Sequence, residues 1–167
     1  GHQWYRIKYN GITAYVRADL LADKKDSTVT PGSGSGSGSG GTVSGSGTAS
    51  EIANFAMGFV GYSYVWGGSS PSTGFDCSGL MYYVLTQYGY SMKRVANDQM
   101  TQGTYVSRSD LQVGDLVFFG YSGYANHVGM YIGGGNFIHA PYSGAVVSIQ
   151  SLSSTAGMRL VAARRIV

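Results

Sequence analysis

At 167 residues the chain has room for one compact domain and a fragment, and 43% apolar residues suffice for a core. Charged residues make up only 11% and the net charge is +3, with no basic run longer than Lys24-Lys25 or Arg164-Arg165, which speaks against a charge-rich disordered tail and a nucleic-acid groove. No apolar stretch approaches the roughly 20 residues a bilayer demands, so no membrane insertion is expected, and the single cysteine, Cys77, excludes an internal disulfide framework and a CxxC metal site.

Gly1-His2-Gln3 shows no initiator methionine and no charged-then-apolar leader, and is read as an expression scar or a processing junction, so no signal segment is assigned. Gln3 to Tyr9 alternates apolar and polar residues, Asn10-Gly11 supplies two positions tolerant of positive φ, and Ile12 to Arg17 alternates again, which predicts a β-hairpin. An isolated hairpin is marginal in water, so residues 1–30 read as a remnant of something larger. Residues 31–47 are almost wholly Gly, Ser and Thr, including four consecutive Gly-Ser dipeptides from Gly32 to Ser39. That composition has nothing to bury and reads as a flexible linker, natural or engineered, of roughly 20 to 25 Å root-mean-square span. The main domain is expected over 48–167.

Thr48-Ala49-Ser50-Glu51 has capping-box spacing, and Ile52, Phe55, Ala56, Phe59 and Val60 recur on one helical face until Gly61. A Gly/Ser/Pro-rich loop over 67–75 leads to a second helix from Cys77 to Tyr88, whose Leu80, Met81, Val84, Leu85 and Tyr88 keep helical period before Gly89. A third short helix is predicted from Ala96 to Gln102, ended by Gly103. From Asp115 the period becomes that of strands: Leu116–Phe119, His127–Ile132, Asn136–Ala140, Val146–Ile149 and Met158–Val167. Helices followed by an antiparallel five-stranded sheet give an α+β class.

Cys77 stands where the glycine-rich loop enters a helix, and the free N–H groups and positive dipole end of that helix favour a thiolate. Lowering a thiol from its free value of about 8.5 toward neutrality makes a nucleophile of it, so the expectation is a reactive cysteine and not a buried small hydrophobe. Two of the three histidines follow on consecutive strands, His127 and His139. With Gly133-Gly134-Gly135 as a three-residue loop, Ile132 faces Asn136 and opposed residue numbers sum to 268. His127 then faces Pro141, and His139 lies diagonally on the same face, at a separation of roughly 7 to 8 Å between Cβ atoms that two imidazoles can close. A two-residue loop would put them on opposite faces. One imidazole can then take the Cys77 proton while the other orients it. His127 is the better base because Gly129 leaves room beside it. Three ligands without a spacing signature make zinc the weaker reading, and no metal or organic cofactor is expected.

Four ordered blocks make a more specific signal: Tyr64-Val65-Trp66-Gly67-Gly68, Phe75-Asp76-Cys77-Ser78-Gly79-Leu80, Gly114-Asp115-Leu116-Val117-Phe118-Phe119, and His127-Val128-Gly129-Met130-Tyr131-Ile132 followed by Phe137-Ile138-His139-Ala140. Over about residues 50–167 they resemble the NlpC family of bacterial cell-wall cysteine peptidases. Trp4-Tyr5, Asn10-Gly11, Ala14-Tyr15-Val16 and Leu20-Leu21 resemble the last part of a bacterial SH3-like wall-binding domain. The first resemblance implies a circularly permuted papain-like core with Cys77 as nucleophile, His127 as general base and His139 as the third, orienting residue. It also implies that Tyr64 and the Cys77 backbone N–H stabilise the oxyanion, and that Asp76 and Ser78 flank the substrate, Asp76 doubling as a helix cap. Trp66 is expected to pack or to line the groove, and Asp115 to be a turn residue. In the segment Lys93-Arg94 the family commonly carries proline before arginine, so Lys93 is a departure, and both side chains are candidates for contact with acidic groups.

The implied partner is the stem peptide of peptidoglycan, cut between γ-D-glutamate and a diamino acid, by a monomer that is secreted or wall-associated and of bacterial, phage or mobile-element origin. A neutral-to-alkaline pH optimum is expected of a coupled Cys-His pair. The competing readings are a wall amidase or thiol acyltransferase on the same fold, and a catalytically silent wall-binding module.

Overall fold

The computed structural model describes residues 4–9, 12–17, 49–155 and 157–167. The described residues fall in two units, one within Gly1–Thr42 and one within Val43–Val167. The first is an antiparallel hairpin of β1 (Trp4–Tyr9) and β2 (Ile12–Arg17), with Trp4 opposite Arg17 and Tyr9 opposite Ile12. That register fits a two-residue connection, though Gln3, Asn10-Gly11, Leu20-Leu21, Thr48 and the expected linker over 31–47 lie outside the described residues.

In the second unit α1 runs Ala49–Met57 and buries Ile52, Ala53, Ala56 and Met57. It stops earlier than the apolar period suggests. Phe59 N–H and Val60 N–H donate to the carbonyls of Ala56 and Met57, three residues back, and this tighter winding leaves Phe59 buried but turns Val60 outward, 40% exposed. Two-residue strands β3 (Ser69–Ser70) and β4 (Gly74–Phe75) pinch the following loop. Next comes α2 (Cys77–Gln87), with Leu80, Met81, Val84 and Leu85 inward, Tyr88 as C-cap and Gly89 at φ +83°. The third helix, α3, spans only Ala96–Gln99, because Thr101 and Gln102 already bond three residues back.

The sheet has six antiparallel strands in the order β5 (Thr104–Tyr105), β10 (Leu160–Arg165), β6 (Leu116–Tyr121), β7 (Tyr124–Gly133), β8 (Asn136–His139), β9 (Ser148–Ser151). The strand beyond the five expected is the two-residue β5 on one edge. Leu116, Phe118, Val128, Met130 and Ile138 have no exposure and alternate with a second buried set, Val117, Phe119, Phe137 and Ala163 with Val106. Helices α1 and α2 pack along β7, while Leu111, Leu152, Met158 and Leu160 close over the second set. Asp115, 1% exposed, accepts two hydrogen bonds from Arg165 at 2.8 Å and one from Gln112 N–H at 2.7 Å, tying the turn before β6 to the end of β10. No helix among the described residues is long and apolar enough to cross a membrane.

The β7–β8 hairpin differs from expectation at its tip. Gly133, not Ile132, faces Asn136, and Gly134-Gly135 form a two-residue turn with φ of +61° and +77°, values that only glycine adopts without cost. A bulge between Tyr131 and Gly133 takes up the additional residue, so Met130 still faces Ile138 and Tyr131 still faces Phe137, the sum-268 register.

Candidate active site

Cys77 owes its position to three local contacts of the preceding residues. Phe75 pairs with Ser69 across the short ribbon, bridges in parallel to Tyr64, and its carbonyl accepts from Val65 N–H at 2.9 Å. Asp76 is then extended (φ −91°, ψ 176°) and its Oδ1 accepts from Gly79 N–H at 2.7 Å, making it the N-cap and Cys77 the first helical residue. The Cys77 side is half-buried, and its sulfur lies against the backbone N–H of Val128, the residue after His127. Tyr64 arrives from the other side of the loop, with its N–H donating to Ala145 O at 2.9 Å. Burial raises its hydroxyl pKa, as do the adjoining Cys77 and Asp76, while Arg94 opposes them.

The two imidazoles meet across the sheet. His127 Nε2 and His139 Nδ1 are 2.7 Å apart, with the rings nearly perpendicular at 79°, and both residues are buried. They share the face of Phe119 and Phe137, whose rings lie 5.9 Å from His127 and 4.7 Å from His139. In the sum-268 register His139 faces Gly129, and a Cβ on Gly129 would stand 2.6 Å from the Phe137 ring and 3.3 Å from His139 Cβ. The rings therefore meet over a position without a side chain. With Nε2 committed to His139, Nδ1 is the nitrogen left to His127 for a proton acceptor's role.

Burial sets the charge state. It pushes His127 down to about 3, with the neighbouring His139 adding to the effect, and His139 down to about 4. For Cys77 burial raises the pKa; the N–H groups of Val128 and Ser78 and the Ser78 hydroxyl lower it, while Asp76 raises it further. The helix start thus helps the thiolate as the sequence suggests, but loss of hydration outweighs it. At neutral pH the thiol and both imidazoles are therefore uncharged.

Asp76 and Ser78, 8% and 6% exposed, are engaged within the protein. Asp76 accepts from Gly67 N–H at 2.9 Å, Ser78 Oγ at 3.3 Å, and both Arg94 terminal nitrogens at 2.9 and 2.7 Å. Arg94 also donates to Ser78 Oγ and to Gly68 O. Burial works to raise the Asp76 pKa, but the Arg94 hydrogen bonds and those from Gly79 and Gly67 win, and the carboxyl stays below its usual range. Trp66, 85% exposed, does not pack into the core. The departure at Lys93 has a structural use, since its backbone N–H, which a proline would lack, donates to Gln102 Oε1 at 2.7 Å.

Arg94, a candidate for contact with acidic groups, meets its acid within the protein in Asp76, and two residues of this region carry no signal in the sequence: Asn97, whose Oδ1 accepts from Ala125 N–H at 3.0 Å, and Gln99, whose Nε2 donates to Ser78 O at 3.0 Å and Lys93 O at 2.8 Å. The partners of Arg94, Asn97 and Gln99 lie 18, 28 and 21 positions away for the key bonds, beyond any local spacing rule.

Comparison with known proteins is consistent with this arrangement. The chain is 44% identical over 112 residues to the gamma-D-glutamyl-L-lysine dipeptidyl-peptidase of Bacillus subtilis (strain 168), covering 65% of this chain and 38% of that protein. It is 44% identical over 125 residues to the murein DD-endopeptidase MepH of Escherichia coli (strain K12), covering 71% and 46%. The chain thus spans less than half the length of these relatives. Among solved structures, the NlpC/p60 domain of the peptidoglycan hydrolase SagA matches with a TM-score of 0.64 and 38% identity, covering 71% of this chain and 98% of that one. The model of the NlpC/P60 family matches residues 61–165, the stretch that holds the Cys77 helix and both histidine strands, and the chain belongs to that family.

Proposed function

We propose that the chain is a peptidoglycan endopeptidase that hydrolyses a stem-peptide amide through a thioester on Cys77. The observation that carries this reading is the half-buried thiol at the start of α2, set against the N–H of Val128, the residue that follows His127 in the chain, together with the His127 ring whose Nε2 is held 2.7 Å from a second imidazole. Cys77 Sγ attacks the amide carbonyl as its proton passes to His127 Nδ1; the carbon–sulfur bond forms and the carbonyl oxygen becomes an oxyanion. His139 Nδ1, accepting from His127 Nε2–H, holds the ring and stabilises the imidazolium. The Tyr64 hydroxyl and the Cys77 N–H donate to the oxyanion. Collapse expels the amine, which takes the proton from His127; water then attacks the thioester, gives its proton to His127, and frees the acid and the thiol. Asp76 and Ser78 flank the substrate by holding Arg94 against the loop at 67–68.

The bond proposed is γ-D-glutamyl to diamino acid, supported by the name of the Bacillus relative; the Escherichia relative is named for a different, DD, bond. The setting is the cell wall, outside the cytoplasm, and the hairpin of β1 and β2 supports reading residues 1–30 as the end of an SH3-like wall-binding domain joined through 31–47 to the catalytic domain over 48–167.

Cys77→Ala is expected to abolish release of soluble stem peptide from purified wall while leaving circular dichroism and melting temperature close to wild type. Undiminished release by that variant overturns the mechanism. Digestion of lysine-type and diaminopimelate-type walls, with fragments identified by mass spectrometry, tests the bond: new amino termini on the diamino acid support it, whereas freed lactyl groups mark an amidase.

A further inference from the structure

Strand β7 is irregular immediately before its histidine. Phe119 faces His127 and Gly120 faces Ala125, so Asn126 is an additional residue on β7 with no partner on β6. Such a bulge bends the strand and re-aims the next side chain, which is His127. Gly120 is the partner that allows it, because a Cβ there would collide with the Tyr124 carbonyl oxygen and crowd Ala125 Cα and Asn126 N at 3.1 Å.

A bulge leaves a backbone group without its ladder partner, and here the Ala125 N–H is taken by Asn97 Oδ1 at 3.0 Å. Asn97 sits on α3, two residues before Gln99. Gln99, with no exposure, donates through Nε2 to Ser78 O, one residue past the nucleophile, and to Lys93 O, one residue before the Arg94 that grips Asp76. One short helix thus ties the start of α2 to the bend that aims His127.

We infer that Asn97 is a positioning residue for the reaction: by accepting the Ala125 N–H it fixes the β7 bulge, and through α3 and Gln99 it holds the His127 ring in register with Cys77. This rests on the Cys77–His127 reading above and adds to it the part that sets the distance between the two groups. The effect is on proton transfer and not on substrate affinity, since Asn97 is placed against the strand backbone.

Asn97→Ala and Asn97→Asp separate the idea from general destabilisation, because aspartate keeps the acceptor oxygen and alanine removes it. Wall hydrolysis and alkylation of Cys77 by iodoacetamide are measured from pH 4 to 10, well below the melting temperature of each variant. Asn97→Ala is expected to lower kcat by about ten- to a hundredfold with KM nearly unchanged, the size of loss that a misplaced catalytic group brings. Its alkylation profile is expected to shift away from wild type, as a thiol released from its base. Asn97→Asp is expected to restore kcat and the alkylation profile to within a few-fold. Should Asn97→Ala fail to fold, Asn97→Leu against Asn97→Asp makes the same comparison at nearly constant size. Wild-type kcat and an unshifted alkylation profile in Asn97→Ala overturn the inference, as does an equal loss in Asn97→Asp. Cys77→Ala is run alongside: retained hydrolysis there defeats the underlying mechanism, whereas loss there with no effect at Asn97 defeats this inference alone.

Discussion

His127 has to be neutral to accept a proton, and its burial beside His139 keeps it so down to about 3. Cys77 is displaced the other way, its thiol held above the ordinary range chiefly by burial. The acid limb of kcat/KM for a small soluble stem peptide is therefore expected well below 6.5, with activity retained at pH 5, and the alkaline limb above the free-thiol value. This is a broader plateau than the neutral-to-alkaline optimum that Cys77 and His127 suggest as a sequence pattern, and the difference lies in desolvation, which spacing does not report. Rates at closely spaced pH values test it; a limb centred at 6.5 or higher would show an imidazole in contact with water. Asp76 shows the same gap between motif and environment. Its place before Cys77 marks it as a helix cap, but nothing local reveals that Arg94 occupies both of its oxygens.

Among the elements, α2 and the body of the β7–β8 hairpin were legible because their signals are local: apolar period and a terminal Gly89 for the helix, alternation and the glycine triplet for the hairpin. Bulges were not, since the residue they accommodate looks like any other in the chain and only the partner strand shows it to be unmatched. The two-residue β5 and the early end of α1 escaped for a similar reason, being decided by β10 and by three-residue-back bonding. In the sequence Gly129 offers room for His127, and the geometry makes it room for the meeting of both rings. Gly129→Ala is expected to displace Phe137 and His139, costing about 1 to 3 kcal/mol of stability. It should lower kcat at least tenfold under conditions where the variant is fully folded. Urea titration and turnover on soluble stem peptide measure both, and a variant with normal turnover would show the rings to be less constrained than the 2.7 Å contact indicates.

For the molecule as a whole, the buried imidazole pair links catalysis to acid stability. Each ring binds its proton more weakly folded than unfolded, about 3 and about 4 against an ordinary 6.5. On acidification the unfolded chain takes up protons first, so stability is whole above 6.5 and drains away as pH falls through the folded values. Between pH 6.5 and 5 the two rings together cost about 3 kcal/mol, a large part of an ordinary domain's stability. Asp76 adds its own loss only below the usual carboxylate range, because its folded pKa is lowered. Urea midpoints at pH 7 and 5 are expected to differ sharply in wild type and about half as much in His139→Gln, which removes one titrating ring. Equal slopes would place the acid sensitivity elsewhere.

The bulge between Tyr131 and Gly133 lies on the tip side of both histidines. A residue gained or lost among the terminal glycines can be swallowed there before the strand's alternation reaches His127, so variation in length at that corner leaves the ring's face unchanged. The opposite end of β7 has no such slack: the irregularity between Ala125 and His127 adjoins the ring itself, and one deletion there would invert it. Indels that homologous domains tolerate are accordingly expected to gather at the glycine corner and to avoid the four positions from Tyr124 to His127.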